Sequence, residues 1–301
     1  MTTRAVDLFA GWGGFTEGAT QAGVNVVWAA NHWPLAVEAH AVNHPRTVHS
    51  CQDLRQADWS RLPAYDLLLA APACQGHSEA SQPKRRAYHD EMRATAWAVI
   101  DCADVTEPRA IVIENVPAFL RWRLYPAFKE ALTRLNFTVT ENIVRASYLG
   151  VPQRRDRLIL TCTRGRAVKL DVPIVPEPAF EPCIEWDAPG MRSVDVMRGE
   201  DARTRLAVAR SRFERCLVQH VTGHGGISLD EPIRTITAKD QWIVVDGDQY
   251  RPLTMREYAR GMGFADTYTW PAGLARWQIV RGFGNAVPPA MARAAIEQVL
   301  S

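Results

Sequence analysis

The sequence predicts an α/β fold: a doubly wound, mostly parallel sheet to which a small second region is attached. Through the first 170 residues, apolar runs of strand length alternate with helix-like stretches at short intervals, the rhythm of strand–helix–strand units. The first run breaks into a glycine-rich turn, Gly11-Trp12-Gly13-Gly14, as a sheet does when it binds a nucleotide-type ligand at a helix N-terminus, so the sheet is expected to be Rossmann-like. From Val172 the composition shifts, with Pro173, Pro176, Pro178, Pro182 and Pro189 interrupting a stretch of poor periodicity. The expected organisation is a sheet domain over 1–170, a small region over 171–250 and a C-terminal segment over 251–301.

Taken in order, residues 4–9 read as a strand, 16–22 as a helix and 24–30 as a second strand, which leads through Asn31-His32-Trp33 into a helix ending near Asn43. The glycine turn alone is weak, because its spacing is not that of the dinucleotide fingerprint. Asp53-Leu54 lies near the end of a third short segment. Residues 65–71 form an apolar run closed by Pro72, which fits a strand buried on both faces and carries Cys74 to the rim where open α/β sheets bind ligands. A lone cysteine is more often a small buried hydrophobe than a chemical group, so its neighbours must decide.

Residues 79–93 contain Lys84-Arg85-Arg86 and run into a helix-like stretch, 91–103. A solvated loop is the plain reading, yet a basic loop next to a nucleophile is well placed to close over a phosphate backbone. The strand 109–113 delivers Glu114-Asn115 to the same rim as Cys74. A glutamate there could merely cap the next helix; beside a thiol it suggests a nucleophile and a proton-donating acid facing one pocket. After a helix over 126–135 and a strand over 138–146 comes Gln153-Arg154-Arg155-Asp156-Arg157. Strand alternation would aim Gln153, Arg155 and Arg157 to one side, a tool for anions or base edges, with surface salt bridging as the alternative. Residues 201–217 look helical, Thr235-Ile236-Thr237 strand-like by β-branching, Thr254 and Glu257 form a capping box, and 281–284 read as a glycine turn opening the last helix at Pro288-Pro289.

Composition narrows the classes. With 301 residues, 47% of them hydrophobic, the chain can bury a sizeable core. No apolar run reaches the roughly 18 residues of a membrane span and the start is no signal peptide, so a soluble, cytoplasmic protein with no membrane partner is expected. Six scattered cysteines without a Cys-x-x-Cys pair argue against zinc and against a disulfide framework, so no metal is expected. Only four of the 35 basic residues are Lys; Arg suits planar, bidentate phosphate and base contacts, which a net charge of +2 allows without requiring.

Six stretches then occur in one order: Asp7-Leu8-Phe9-Ala10-Gly11-x-Gly13-Gly14-Phe15, Pro72-x-Cys74-Gln75, Glu114-Asn115-Val116, Gln153-x-Arg155-x-Arg157, Arg251-x-Leu253-Thr254-x-Arg256-Glu257 and Gly284-Asn285-Ala286-Val287-Pro288-Pro289. Over nearly its whole length the chain resembles the cytosine-5 methyltransferases. The resemblance implies S-adenosylmethionine as methyl donor, DNA as partner, a cytosine flipped from the duplex, and a last helix folded back on the first domain. It assigns Cys74 as nucleophile, Glu114 to ring nitrogen 3, Arg157 to the base oxygen and that carboxylate, and Arg155 to the flipped nucleotide. The donor site implied by it comprises Phe9, Gly11, Gly13, Gly14, His32, Trp33, Asp53, Leu54, Pro72, Thr95 and Asn285. Gln75, Ser78, Lys84, Arg85, Arg86, Gln153 and Thr237 are expected at the DNA. The chain departs from the family at Ala73, where a second proline is usual, at His77, where an aromatic is usual, and at His32, where an acid grips the ribose. The tRNA-methylating branch of the same family and a binding homologue without catalysis are the alternative readings. Oligomeric state is not legible; a monomer on DNA is expected.

Overall fold

The computed structural model describes residues 2–73, 95–221 and 225–301. Among them, a seven-stranded sheet has the order β3-β2-β1-β4-β5-β8-β6. Its parallel part comprises β1 (Arg4–Leu8), β2 (Asn25–Asn31), β3 (Val48–Cys51), β4 (Leu67–Ala70) and β5 (Ala110–Asn115). β8 (Asp156–Thr163) runs antiparallel to β5 and to the edge strand β6 (Thr138–Arg145). The alternation of side chains explains the doubly wound build. Val6, Leu8, Leu68, Ala70, Ile111 and Ile113 face one core with helices α3 (Trp97–Thr106) and α4 (Tyr125–Arg134). Ala5, Leu67, Leu69, Ala110 and Val112 face the other, with α1 (Gly14–Gln21) and the last helix, α8 (Pro289–Leu300). α2 (Pro34–Asn43) follows β2. No described helix is long and apolar enough to cross a membrane.

The second sheet is antiparallel, ordered β11-β10-β13-β14-β9: β9 (Arg192–Ser193), β10 (Arg215–Gln219), β11 (Ile227–Ser228), β13 (Trp242–Asp246) and β14 (Gln249–Pro252). A short parallel pair, β7 (Gln153–Arg154) with β12 (Ile233–Arg234), links the two regions. α5 (Glu200–Arg210), α6 (Met255–Gly261) and α7 (Arg276–Asn285) complete the described elements.

Three sequence expectations need correction. The helix expected over 201–217 stops at Arg210, and Arg215–Gln219 is β10, because Cys216, Leu217 and Val218 are buried against β13; tertiary pairing overrides helix propensity. Thr235–Thr237 is not a strand: past Arg234 the backbone leaves the ladder, and the Ile236 N–H donates instead to the Gln153 side chain at 2.8 Å. Residues 281–284 are not a turn but the interior of α7. Glycine is required there by close approach: a Cβ on Gly282 would lie 2.1 Å from the Trp12 indole, and one on Gly284 would lie 2.2 Å from the Thr237 carbonyl oxygen.

Behind the glycine turn sits a buried polar chain. The Thr16 hydroxyl donates to Asp7 Oδ2 at 2.8 Å and lies 3.0 Å from His40 Nε2; His40 Nδ1 lies 2.8 Å from His49 Nε2, and the His44 ring packs 4.7 Å from that of His40. Burial lifts the Asp7 carboxyl to about 7 against the hydrogen bonds from Thr16. Burial likewise lowers the three imidazoles, His44 to about 4, with His44 and His49 adding repulsion at His40. The signs oppose. Each depressed histidine binds fewer protons folded than unfolded, so its stabilisation is complete above about 6.5 and is lost on acidification below it. Asp7 binds more protons folded, so its stabilisation is complete below about 3.8 and is lost as pH rises through about 7. With three histidines against one carboxyl, the urea midpoint is expected to fall between pH 7 and pH 5, and to fall more steeply in Asp7→Asn. Equilibrium unfolding at the two pH values checks this; a wild-type midpoint that rises on acidification contradicts it.

Candidate active site

β1, β4 and β5 are adjacent and parallel, so their carboxyl ends share one rim. At the end of β1, Phe9 takes a positive φ of 60°, and Gly11 and Gly13 follow at 55° and 76°. A bulky residue held in the left-handed region costs ~1–3 kcal/mol, a strain typical of ligand sites. At the end of β4 come Ala71, Pro72 and Ala73. β5 ends in Glu114 and Asn115, and the Asn115 amide donates to the Pro72 carbonyl at 3.1 Å, tying the two strand ends together. Cys74, Gln75, Ser78, Lys84, Arg85 and Arg86 lie outside the described residues.

Because β8 runs antiparallel to β5, with Glu114 opposite Ile159 and Asn115 opposite Leu158, Arg157 enters the sheet where Glu114 leaves it. Arg157 Nε meets Glu114 Oε1 at 2.8 Å, with the two side chains only 11% and 10% exposed. The Arg157 guanidinium also donates to the Asp156 carbonyl at 2.7 Å. Burial lifts the Glu114 carboxyl above the ordinary carboxylate range, while the charges of Arg157 and Arg155 hold it back. Burial therefore favours the protonated carboxyl, the form that can donate a proton, while the two guanidinium charges oppose it.

Glu114 forms part of the wall of a cavity of about 300 Å³. Phe9, Gly11 and Trp12 line it from the glycine turn, Asn31, His32 and Trp33 from the end of β2, Ala71, Pro72 and Ala73 from the end of β4, and Arg281, Gly282 and Asn285 from α7. A hollow of about 400 Å³ at the β6 edge is larger, but two of its charged groups, Arg145 and Asp156, are paired with each other at 2.7 Å.

Of the residues expected to hold a donor, Phe9, Gly11, His32, Trp33, Pro72 and Asn285 line this cavity. Gly13 and Gly14 form the turn and the start of α1 behind it. Asp53 and Leu54 are not among the lining residues: the Asp53 carboxylate takes the Arg55 guanidinium at 2.6 Å, and Leu54 is buried in the sheet core. Thr95 precedes α3, its carbonyl accepting from the Ala98 N–H. Strand alternation did not deliver the arginine pair expected on one side. Arg155 falls between β7 and β8, is 2% exposed, and donates to the carbonyls of Ile236, Gly284 and Ala286. Gln153, expected at the DNA, is buried; its amide donates to the Gly261 carbonyl and its oxygen accepts from Ile236. Thr237 is exposed beside α7. Sequence reasoning missed Trp12, Asn31, Ala71, Ala73, Arg281 and Gly282 as lining residues. The spacing of Arg281 and Asn285, one helical turn apart, would have paired them had 281–284 been read as a helix.

Comparison with known proteins gives a consistent result. The family model for C-5 cytosine-specific DNA methylase matches residues 3–185 and 208–301. The Type II methyltransferase M.NlaX of Neisseria lactamica is 27% identical over 312 residues, covering 98% of this chain and 96% of that protein. M.DsaV of Dactylococcopsis salina, also a Type II methyltransferase, is 26% identical, covering 99% and 86%. DNA (cytosine-5)-methyltransferase 1 of Rattus norvegicus is 29% identical over 195 residues; the match takes in 58% of this chain and spans only 12% of that protein's length. Among solved structures, DNMT2 of Spodoptera frugiperda aligns over 100% of both chains with a TM-score of 0.74 at 17% identity. Entamoeba histolytica methyltransferase EhMeth aligns over 100% and 98% with 0.73 at 14%. These two share the fold.

Removing one partner of the Glu114–Arg157 pair strands a buried charge, which typically costs ~3–5 kcal/mol. Arg157→Leu is expected to lower stability on that scale in urea unfolding, and Glu114→Gln in the same background to recover part of the loss; additive losses in the double variant would show that the two side chains do not interact.

Proposed function

This chain belongs to the C-5 cytosine-specific DNA methylases, and we propose that it transfers a methyl group from S-adenosylmethionine to carbon 5 of a flipped-out cytosine in DNA. The observation that carries the reading is the buried ion pair by which Arg157 holds Glu114 in the wall of the glycine-turn cavity, one strand away from the turn that leads to Cys74. Cytosolic action, as a monomer on DNA, belongs to the same proposal.

The cavity fits the donor. Phe9 and Trp33 offer aromatic faces to an adenine, the Gly11–Gly13 turn brings bare backbone to the ligand, and Asn31 and Asn285 supply neutral polar groups. Bound there, S-adenosylmethionine supplies an electrophilic methyl group. The chain's own residues make carbon 5 able to accept it. The Cys74 thiolate bonds to carbon 6 while Glu114 gives a proton to ring nitrogen 3, so the electron pair of the 5,6 double bond becomes available at carbon 5. Arg157 fixes the Glu114 carboxyl and opposes the negative charge left on it. After methylation, carbon 5 gives its proton to a solvent-derived base, the carbon–sulfur bond breaks to return the thiolate, and ring nitrogen 3 hands its proton back to Glu114. Arg155 acts as a positioning residue: by holding the carbonyls of Gly284 and Ala286, it keeps Asn285 at the cavity. Lys84, Arg85 and Arg86 are assigned to the DNA backbone, with Gln75, Ser78 and Thr237 near the target base.

The test is sequencing of bisulfite-treated DNA from cells expressing the protein, with tRNA from the same cells analysed in parallel. Methylated cytosines in DNA are expected, absent in Cys74→Ala and reduced ~10²–10⁴-fold in rate in Glu114→Gln. DNA containing 5-fluorocytosine is expected to trap a covalent adduct with the wild type and none with Cys74→Ser. Methylated tRNA with unmodified DNA would overturn the choice of substrate.

A further inference from the structure

Arg281 stands out in the cavity. It lies one helical turn before Asn285 on α7, and both line the wall. Its guanidinium carbon sits 5.1 Å from the centre of the Trp33 ring. Trp33 is itself held, its N–H donating to Asn31 Oδ1 at 2.9 Å. A guanidinium laid on an indole is restrained in its plane and keeps its N–H edge for a second partner.

The charges around the cavity say what that partner must be. Glu114 is matched by Arg157. His32 lies in the field of Asp53, whose carboxylate is held down first by the Arg55 guanidinium and least by His32. Among the described residues that leaves Arg281 as the lining cation with no carboxylate opposite it. Much of the remaining wall is apolar, with Phe9, Pro72 and Ala73, so a charge there is poorly screened and an ion pair correspondingly strong. The donor ligand carries one anionic group, the carboxylate of its amino-acid end; its ammonium and sulfonium are cations and its adenine and ribose are neutral.

We propose that Arg281 is a cofactor-binding residue whose guanidinium takes that carboxylate in a forked contact, and that it thereby sets the direction in which the ligand enters the pocket. In the reversed orientation the neutral adenine would meet Arg281 and the forked contact would be lost. This inference rests on the reading of the cavity as an S-adenosylmethionine site.

The test is a binding cycle on the full chain without DNA: titration calorimetry of S-adenosylmethionine and of decarboxylated S-adenosylmethionine, which differ only in the carboxylate, against the wild type, Arg281→Gln and Arg281→Lys. The wild type is expected to prefer S-adenosylmethionine by ~10–100-fold, the range of a charge-assisted contact. Arg281→Gln is expected to lose that preference by weakening S-adenosylmethionine alone, and Arg281→Lys, which keeps the charge without the fork, to retain part of it. Equal weakening of both ligands, with or without a lowered melting temperature, would make Arg281 a structural residue and overturn the proposal. So would an unchanged preference, including one accompanied by weaker DNA binding, which would move Arg281 to a phosphate. Failure of the wild type to bind either ligand overturns the cofactor reading itself, and this inference with it.

Discussion

A carboxyl buried at the end of a parallel strand must either stay protonated or find a cation, and much of the site follows from how this chain meets that constraint at Glu114. The cation is Arg157, and it is available because β8 enters the sheet against the direction of β5, placing its first residues beside the last of β5. A parallel strand in that position would have put its opposite end there. The reversed strand in an otherwise mostly parallel sheet is thus what brings acid and guanidinium together at 2.8 Å on the rim where the glycine turn and the Pro72 turn also end.

The C-terminal segment is bound to that rim from the other side. Arg155 holds the end of α7 through the Gly284 and Ala286 carbonyls, and α7 lays Gly282 on Trp12 of the glycine turn. Behind the turn, the Tyr268 hydroxyl donates to the Trp12 carbonyl. The chain from Asp7 through Thr16 to the histidines occupies the space between β1, α1 and α2. The cavity is therefore walled by elements distant in sequence, and its shape depends on buried polar contacts more than on the loops that border it.

How much of this could be read from residue order varies with the kind of signal. The buried strands were legible because Leu67-Leu68-Leu69-Ala70 and Ile111-Val112-Ile113 are too apolar for anything but a sheet core. The capping box at Thr254 and Glu257 was legible because it is local; the structure adds that the same glutamate is paired with buried Arg251 at 2.7 Å. The helical interior at 281–284 was not legible, since two glycines in four residues argue for a turn unless Trp12 and Thr237 are known to press on them. Arg155 and Gln153 were misdirected for a similar reason: alternation assumed an unbroken strand, whereas the strand breaks at Arg155 and both side chains satisfy backbone groups inside the protein.

The sequence by itself determined the class of sheet, the order of its motifs and the residue types brought to the rim, because strand period, apolar runs and turn chemistry act over a few residues. Only the tertiary structure decided which of those residues meet: that Arg157 closes on Glu114, that Asp53 turns to Arg55, and that Arg281 joins the cavity over Trp33. The physical reason is that pairing depends on strand direction and on the close approach of distant backbones, and neither is written in local spacing.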